Sequence, residues 1–61
     1  MLKIKIIREK QGLSQEQLAE KSGVSRTVIS FLENKEDYVT TTSTLQKISD
    51  VLNCDVSDFF N

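Results

Sequence analysis

The chain has 61 residues, which is enough for one small domain, and a domain of this size buries only about 60% of the surface of its unfolded chain. Hydrophobic residues make up 38% and charged residues 28%, a balance typical of globular rather than disordered chains. The absence of histidine excludes imidazole catalysis, and a single Cys54 excludes both an internal disulfide and a zinc site.

The same sequence carries no apolar run near the roughly 20 residues that span a bilayer. We expect no secretory leader, no membrane contact, no metal and no cofactor, and the reducing cytoplasm as the compartment. The sequence contains no pair of carboxylates that would indicate an active site. We therefore expect a protein that is not an enzyme, with no catalytic residues.

The net charge of −1 is unevenly distributed along the chain. Residues 1–12 carry four cations and one anion, whereas residues 35–61 carry five anions and two cations. The weakly acidic total argues mildly against nucleic acid, because duplex-binding domains are usually basic. A polyanion is therefore expected to contact the N-terminal two-thirds of the chain.

The first segment has two interpretations. Leu2, Ile4 and Ile6 alternate with lysines as in a strand, whereas Ile4 and Ile7 lie at helical spacing before Gly12, a natural helix end. We favour a helix over about residues 2–11.

The next helix has a stronger start signal. Ser14 and Gln17 form a capping-box sequence, in which each side chain accepts a hydrogen bond from the other residue's backbone N–H. This pattern predicts a helix over about residues 15–22 that ends at Gly23.

A third helix follows after a very short turn. Ser25 is suited to cap it, and the pattern predicts helix over about residues 26–34. Two short helices joined so closely cross steeply, as in a helix-turn-helix motif. We expect Ala19 and Gly23 to be small because the helices cross there.

The sequence pattern in the last third of the chain predicts two more helices. A Thr or Ser within residues 40–43 caps the fourth, Asn53 stops it, and Asp55 caps a short fifth helix. The expected fold is all-α, a compact bundle of five short helices with a central helix-turn-helix, forming one domain over residues 1–61. The inner-face residues are expected to be Leu45, Ile48, Val51 and Leu52, then Val56, Phe59 and Phe60. Because Phe59 and Phe60 are adjacent on a one-turn helix, they cannot both point straight into the core, so at least one is expected to lie partly at the surface, available to a partner. Cys54 is expected to be a small core residue rather than a redox sensor.

The stretch LSQEQLAEKSGVSRTVISFLEN, residues 13–34, resembles the lambda-repressor and Cro-like helix-turn-helix family of bacteria and phages. The flanks IIREKQGLSQ and LQKISDVLNCDVSDFF are similar to the family's first helix and last two helices. The resemblance implies a lambda-repressor-like DNA-binding domain whose second motif helix, residues 26–34, enters the major groove.

Base readout is expected from the outer face of that helix. At about 100° per residue, Ile29, Leu32 and Glu33 face inward. The resemblance places Arg26 and Thr27 at base-reading positions, although Arg26 could instead clamp a phosphate. Contact of Phe31 with a thymine methyl is one of three open roles, beside covering the core edge with Val28 and contacting a protein. The base-readout set is Arg26, Thr27, Ser30 and Phe31.

Phosphate contacts are expected around this face. Gln15 opens the first motif helix at a family phosphate position, or is a simple surface residue, and Asn34 holds the DNA backbone or only ends its helix. Lys35 replaces the family's usual glycine, and Glu36 and Asp37 lie where relatives often carry cations. The phosphate set is Gln15, Ser25, Asn34, Tyr38, Thr40 and Thr41.

One pair is expected to be structural. The family has an arginine in its first helix that bridges to the glutamate before asparagine, which implies an ion pair between Arg8 and Glu33.

The resemblance therefore implies a sequence-specific regulator of transcription, of repressor type, bound to double-stranded DNA. A homodimer is expected through the C-terminal helices, because few cations serve each chain and dimers read two half-sites. The alternative is an antitoxin or other protein-interaction module of the same fold, with a toxin or effector as its partner.

Overall fold

Four α-helices and one 3₁₀ helix form the fold in the computed structural model, which describes residues 2–60. The ends of the predicted domain, residues 1 and 61, lie outside the described residues. Between residues 2 and 60 there is no strand, so the all-α prediction is confirmed, with a 3₁₀ rather than an α-helix as the fifth element. The elements are α1 (Ile4–Lys10), α2 (Gln15–Ser22), α3 (Arg26–Asn34), α4 (Thr42–Val51) and the 3₁₀ helix (Val56–Phe59).

Side-chain caps begin the three central helices, as predicted. Ser14 Oγ accepts from the Gln17 N–H at 3.0 Å, and Gln17 Oε1 accepts from the Ser14 N–H at 2.8 Å. Ser25 Oγ accepts from the Val28 N–H at 3.2 Å, and Thr41 caps α4 in the same way. Each bond satisfies a backbone donor that the first helical turn leaves without a partner.

Gly23 ends α2 in the left-handed conformation, with φ of +74°. A Cβ atom built at Gly23 would meet no heavy atom within 4 Å, so the prediction that helix crossing demands its small size is wrong. Backbone conformation is the reason for glycine here, because L-residues pay a steric cost at positive φ. Asn53 ends the α4 region similarly, with φ of +55°.

The core lies between all five elements. Phe59 is completely buried, whereas Phe60 is 63% exposed. The prediction that at least one of these two adjacent residues lies at the surface is confirmed, and the prediction that Phe60 returns to the core is wrong. Successive residues of a 3₁₀ helix point about 120° apart, so neighbours cannot share one apolar face. The buried apolar residues are Ile4, Leu18, Val24, Ile29, Leu32, Leu45, Ile48, Leu52 and Phe59.

The N-terminal residues are tied to the C-terminal end of the chain. Helix α1 begins at Ile4, two residues later than predicted, with Lys3 as its N-cap and no side-chain cap. The Lys3 N–H donates to the Phe59 carbonyl at 2.8 Å. This bond joins the start of α1 to the 3₁₀ helix.

Cys54 is partly buried and packs against the core rather than lying within it. Burial raises the pKa of its thiol, and the negative charges of Asp58 and Asp55 raise that pKa further. The thiol form is therefore favoured over the reactive thiolate. Within residues 2–60, no helix combines the length and apolar composition needed to cross a membrane.

Candidate nucleic-acid interface

Helix α3 has one buried and one accessible face. Ile29, Leu32 and Glu33 are buried, as the helical periodicity predicts. A nine-residue helix of this kind is about 10–12 Å wide with its side chains, so it fits a B-DNA major groove about 12 Å wide. The accessible face carries exposed Arg26, Thr27 and Asn34 and partly buried Ser30 and Phe31.

The N-terminal end of α3 is electropositive. Arg26 is its first residue, and its first turn contains no acidic side chain. A cation at a helix N-terminus opposes the helix dipole and costs stability, typically about 0.3–1 kcal/mol. Among residues 2–60 the only ion pair joins two other residues, so the exposed Arg26 guanidinium keeps its donors for a ligand. This end of α3 is therefore built to receive acceptor atoms or negative charge.

The buried pair behind this face is formed by Arg8 and Glu33. Arg8 Nε lies 2.7 Å from Glu33 Oε2, and Arg8 Nη2 donates to Glu33 Oε1 at 3.0 Å. A third donor, Arg8 Nη1, binds the Leu13 carbonyl at 2.6 Å. The hydrogen bond to Glu33 raises the pKa of Arg8 further, so the guanidinium stays charged. The pair locks α1 to α3 and to the start of α2.

Gln15 is attached to the same pair. Its Nε2 donates to Glu33 Oε1 at 2.9 Å, so the side chain is held rather than free on the surface. Gln15 remains partly exposed at the first turn of α2, and its amide keeps a second N–H and a carbonyl oxygen. The amide therefore has a fixed direction and a remaining donor.

Asn34 bonds back along its own helix. Its Nδ2 donates to the Ser30 carbonyl at 2.9 Å and to Ser30 Oγ at 3.3 Å. The side chain is exposed, and its amide must leave these partners, or share them, to bind a phosphate. The two residues form one polar patch on the second half of α3.

Phe31 organises the segment that follows α3. Its ring meets the Tyr38 ring edge-on, with centroids 5.3 Å apart, and the Lys35 Nζ lies over its face, 4.3 Å from the centroid. Phe31 thus contacts Tyr38 and Lys35, and its role toward a thymine methyl, the core edge at Val28 or a protein stays a prediction. Sequence reasoning missed Lys35 as a member of this face, although its spacing four residues after Phe31 was a usable signal.

The other predicted phosphate donors lie at helix starts and in the connection before α4. Ser25 and Thr41 are exposed hydroxyls that each accept one backbone hydrogen bond. The Ser25 proton remains a donor, whereas Thr41 Oγ1 also lies 3.0 Å from Thr44 Oγ1, in a hydrogen bond that either hydroxyl can donate. Tyr38 and Thr40 are partly buried in the segment that connects α3 to α4. The structure thus places donors at the starts of α2, α3 and α4.

Acidic side chains interrupt this arrangement in the connection after α3. Glu36 and Asp37 are both exposed there, directly after Lys35. No three His, Cys, Asp or Glu side chains come together as a metal site among residues 2–60. Hydrogen-bond donors and a small number of cations thus share this part of the surface with two exposed carboxylates.

A groove of about 290 Å³ lies beside the connection between α3 and α4, and Glu36, Tyr38 and Thr40 of that connection contribute polar groups to its lining. Leu32 and Leu45 line it, together with Leu2 from the N-terminal segment. Its rim includes Val39, which is 85% exposed, and Phe60, which is 63% exposed. Exposed apolar side chains around a concave surface are typical of protein contacts.

Comparison with known proteins agrees with the motif. A family model described as helix-turn-helix matches residues 4–59, which run from the first residue of α1 to the end of the 3₁₀ helix. No curated protein matches the sequence.

Proposed function

Because the chain belongs to the lambda-repressor and Cro-like helix-turn-helix family, a DNA-binding family, we propose that it is a sequence-specific transcriptional regulator of repressor type. In this proposal α3 lies in the major groove of double-stranded DNA, and the 61 residues act as one domain. Its lone Cys54, held as a thiol, favours action in the reducing cytoplasm.

One observation carries the proposal: the division of α3 into a buried face and a polar, accessible face with an uncompensated arginine at its start. A cation that opposes the helix dipole lowers the stability of the fold, so binding of a ligand is the reason we assign to an arginine at this position. Arg is the side chain best matched to the two acceptors of guanine, O6 and N7, in the major groove. We assign base readout to Arg26, Thr27, Ser30 and Phe31.

The contacts that hold the DNA backbone are proposed for the donors around α3. Gln15 is held by Glu33 with one N–H left, which suits it to a single phosphate oxygen. Its position at the start of α2 adds the positive end of a helix dipole. The proposed phosphate set is Gln15, Ser25, Asn34, Tyr38, Thr40 and Thr41.

The proposed assembly on DNA is a homodimer formed through the C-terminal end of the chain, at the Phe60 rim of the groove, while Tyr38 and Thr40, which also line the groove, are left to the DNA. Few cations face the DNA, so one protomer is expected to bind near the non-specific range of about 10⁻⁴–10⁻⁶ M. The exposed rim residues Val39 and Phe60 supply apolar surface that a second copy would cover. Two-fold symmetry then pairs two half-sites about one helical turn apart. A toxin or effector in the same groove is the alternative.

Selection of bound sites from random duplex DNA with the purified protein tests the function. We expect recovery of a palindrome with two half-sites about 10 base pairs apart, centre to centre. Recovery of a single half-site would support sequence-specific DNA binding but contradict the proposed homodimer. Recovery of no enriched sequence, from protein whose circular dichroism shows the folded helices, would contradict the proposal and favour the protein-interaction alternative.

A further inference from the structure

The lysine that follows α3 is held on an aromatic ring. The Lys35 Nζ lies 4.3 Å from the centroid of Phe31, one turn earlier, and Tyr38 packs edge-on against the same ring. Within residues 2–60 the only ion pair at 4.0 Å or closer joins Arg8 to Glu33, so neither Glu36 nor Asp37 pairs with this ammonium.

This arrangement leaves the donors of Lys35 available. A ring face attracts the ammonium through its quadrupole and accepts no conventional hydrogen bond, unlike a carboxylate oxygen. The side chain is thus restricted in direction while its N–H groups facing away from the ring remain open. Restricting a flexible side chain before binding reduces the entropy that binding must remove.

Lys35 is also the one cation between residues 35 and 41, beside two exposed acids. It sits at the opposite end of α3 from Arg26, about 14 Å along the helix axis for nine residues. A helix in the major groove has phosphates beside its ends, and the acids would repel them. An ammonium held over the Phe31 ring and paired with neither carboxylate offsets this repulsion.

We propose that Lys35 is a phosphate-binding residue of this protein and that Phe31 positions it, with Tyr38 supporting the ring. The inference rests on the proposed DNA binding and adds to it a cationic contact outside the polar donor set assigned above. Phe31 then acts through Lys35 as well as through any base it touches, and this contribution is the same for every DNA sequence.

Titration of random-sequence duplex across a range of salt concentrations measures the contact. Lys35→Gln should make the slope of log K against log salt shallower by about 0.9, and weaken binding about 5-fold at 0.15 M salt. Lys47→Gln is the matched control: it removes the same charge from an exposed position on α4, and should change the slope less. An equal change in both variants would assign the effect to net charge and overturn the proposal.

A double-mutant cycle tests the positioning role on the same random duplex. In a Phe31→Leu background, Lys35→Gln should weaken binding by about 2-fold or less, whereas Phe31→Tyr keeps a ring and should retain the full loss. An undiminished Lys35→Gln effect beside leucine would remove the role of the ring. Circular dichroism of each variant separates these outcomes from unfolding.

Proton NMR of the DNA-free protein gives an independent readout. The ε-methylene protons of Lys35 should be shifted upfield relative to those of Lys47, and Phe31→Leu should abolish the shift. An upfield shift with an unchanged salt slope would leave a stacking contact without a DNA role and overturn the proposal. If the unmodified protein bound no duplex at all, the proposed function would fail instead, and the titrations would show that directly.

Discussion

The side-chain amide of Gln15 donates to Glu33 at 2.9 Å, although 18 residues separate them along the chain. The same carboxylate holds the Arg8 guanidinium through two hydrogen bonds. A surface residue at the start of α2 is thus oriented by a buried ion pair that joins α1 to α3. The direction of a proposed phosphate donor and the stability of the fold therefore depend on one carboxylate.

Removing that carboxylate should destabilise the protein strongly. Glu33→Ala leaves the Arg8 guanidinium buried without its counter-charge, so we expect the free energy of unfolding to fall by about 3–5 kcal/mol. Glu16→Ala removes an exposed carboxylate from the first turn of α2 and should cost under about 1 kcal/mol. Urea denaturation followed by circular dichroism measures both. Similar small losses in the two variants would show that the pair is effectively solvated.

Loss of the arginine at the start of α3 should change specificity. Arg26→Ala is expected to relax base preference at one operator position by about 1–3 kcal/mol. Gln15→Ala and Asn34→Ala should instead weaken specific and random duplexes by equal factors, because phosphates carry no sequence information. Competition titrations measure the ratios. Were Arg26→Ala to weaken both duplexes equally, Arg26 would be a phosphate clamp.

Folding supplies the control for that experiment. Arg26 opposes the dipole of α3, so Arg26→Ala should raise the free energy of unfolding by about 0.3–1 kcal/mol while specific binding weakens. A rise in the free energy of unfolding together with a fall in affinity would show that Arg26→Ala removes a DNA contact and does not disrupt the fold.

Phe60 provides the test of assembly. Because its side chain is 63% exposed, Phe60→Ser should leave the fold intact while removing apolar surface from the groove rim. Analytical ultracentrifugation on a palindromic duplex should then change from two protomers per duplex to one. Ile6→Ser is the matched control, since Ile6 is 53% exposed on α1 and does not line the groove. Two protomers on the duplex with both variants would contradict the proposed dimer surface.

The turn between α2 and α3 should respond to backbone conformation rather than to size. Gly23→Ala is expected to cost about 1–2 kcal/mol, because a Cβ is strained at φ of +74°. Gly23→Asn should cost less although its side chain is larger, because asparagine tolerates the left-handed region. Thermal or urea unfolding ranks the two variants. A larger loss of stability for Gly23→Asn than for Gly23→Ala would indicate that crowding, and not backbone conformation, is the reason for glycine at this position.

The thiol of Cys54 should react slowly. Its pKa is raised by burial and then by Asp58 and Asp55, so alkylation by iodoacetamide at pH 8 should be slower than in urea-unfolded protein. Because the native pKa of this thiol lies above that of the unfolded chain, about 8–9, the free energy of unfolding depends on pH. The contribution of the thiol to that free energy is complete below about pH 8 and declines as the pH rises through the native pKa. Asp58→Asn keeps the oxygen that caps Asp55 but removes a charge, so it should accelerate alkylation. Equal rates for native and unfolded protein would contradict the raised pKa.

The starts of α2, α3 and α4 were determined by the sequence alone, because each depends on hydrogen bonds between residues within one turn, whereas α1 has no side-chain cap and begins later than predicted. Ser14 with Gln17, and Ser25 before α3, are caps whose donor and acceptor lie three residues apart. The inward positions of α3 likewise followed from helical periodicity, and the Arg8–Glu33 pair followed from the family resemblance.

Only the tertiary structure decided which side chains meet across longer separations. The hold of Glu33 on Gln15 and the packing of Tyr38 on Phe31 depend on how the chain returns after each turn. Adjacency on a one-turn helix already predicted that Phe59 and Phe60 separate, and only the packed core decided that Phe59 is the buried one. Local hydrogen bonds are encoded by neighbouring residues, whereas these contacts form only when the whole core is packed.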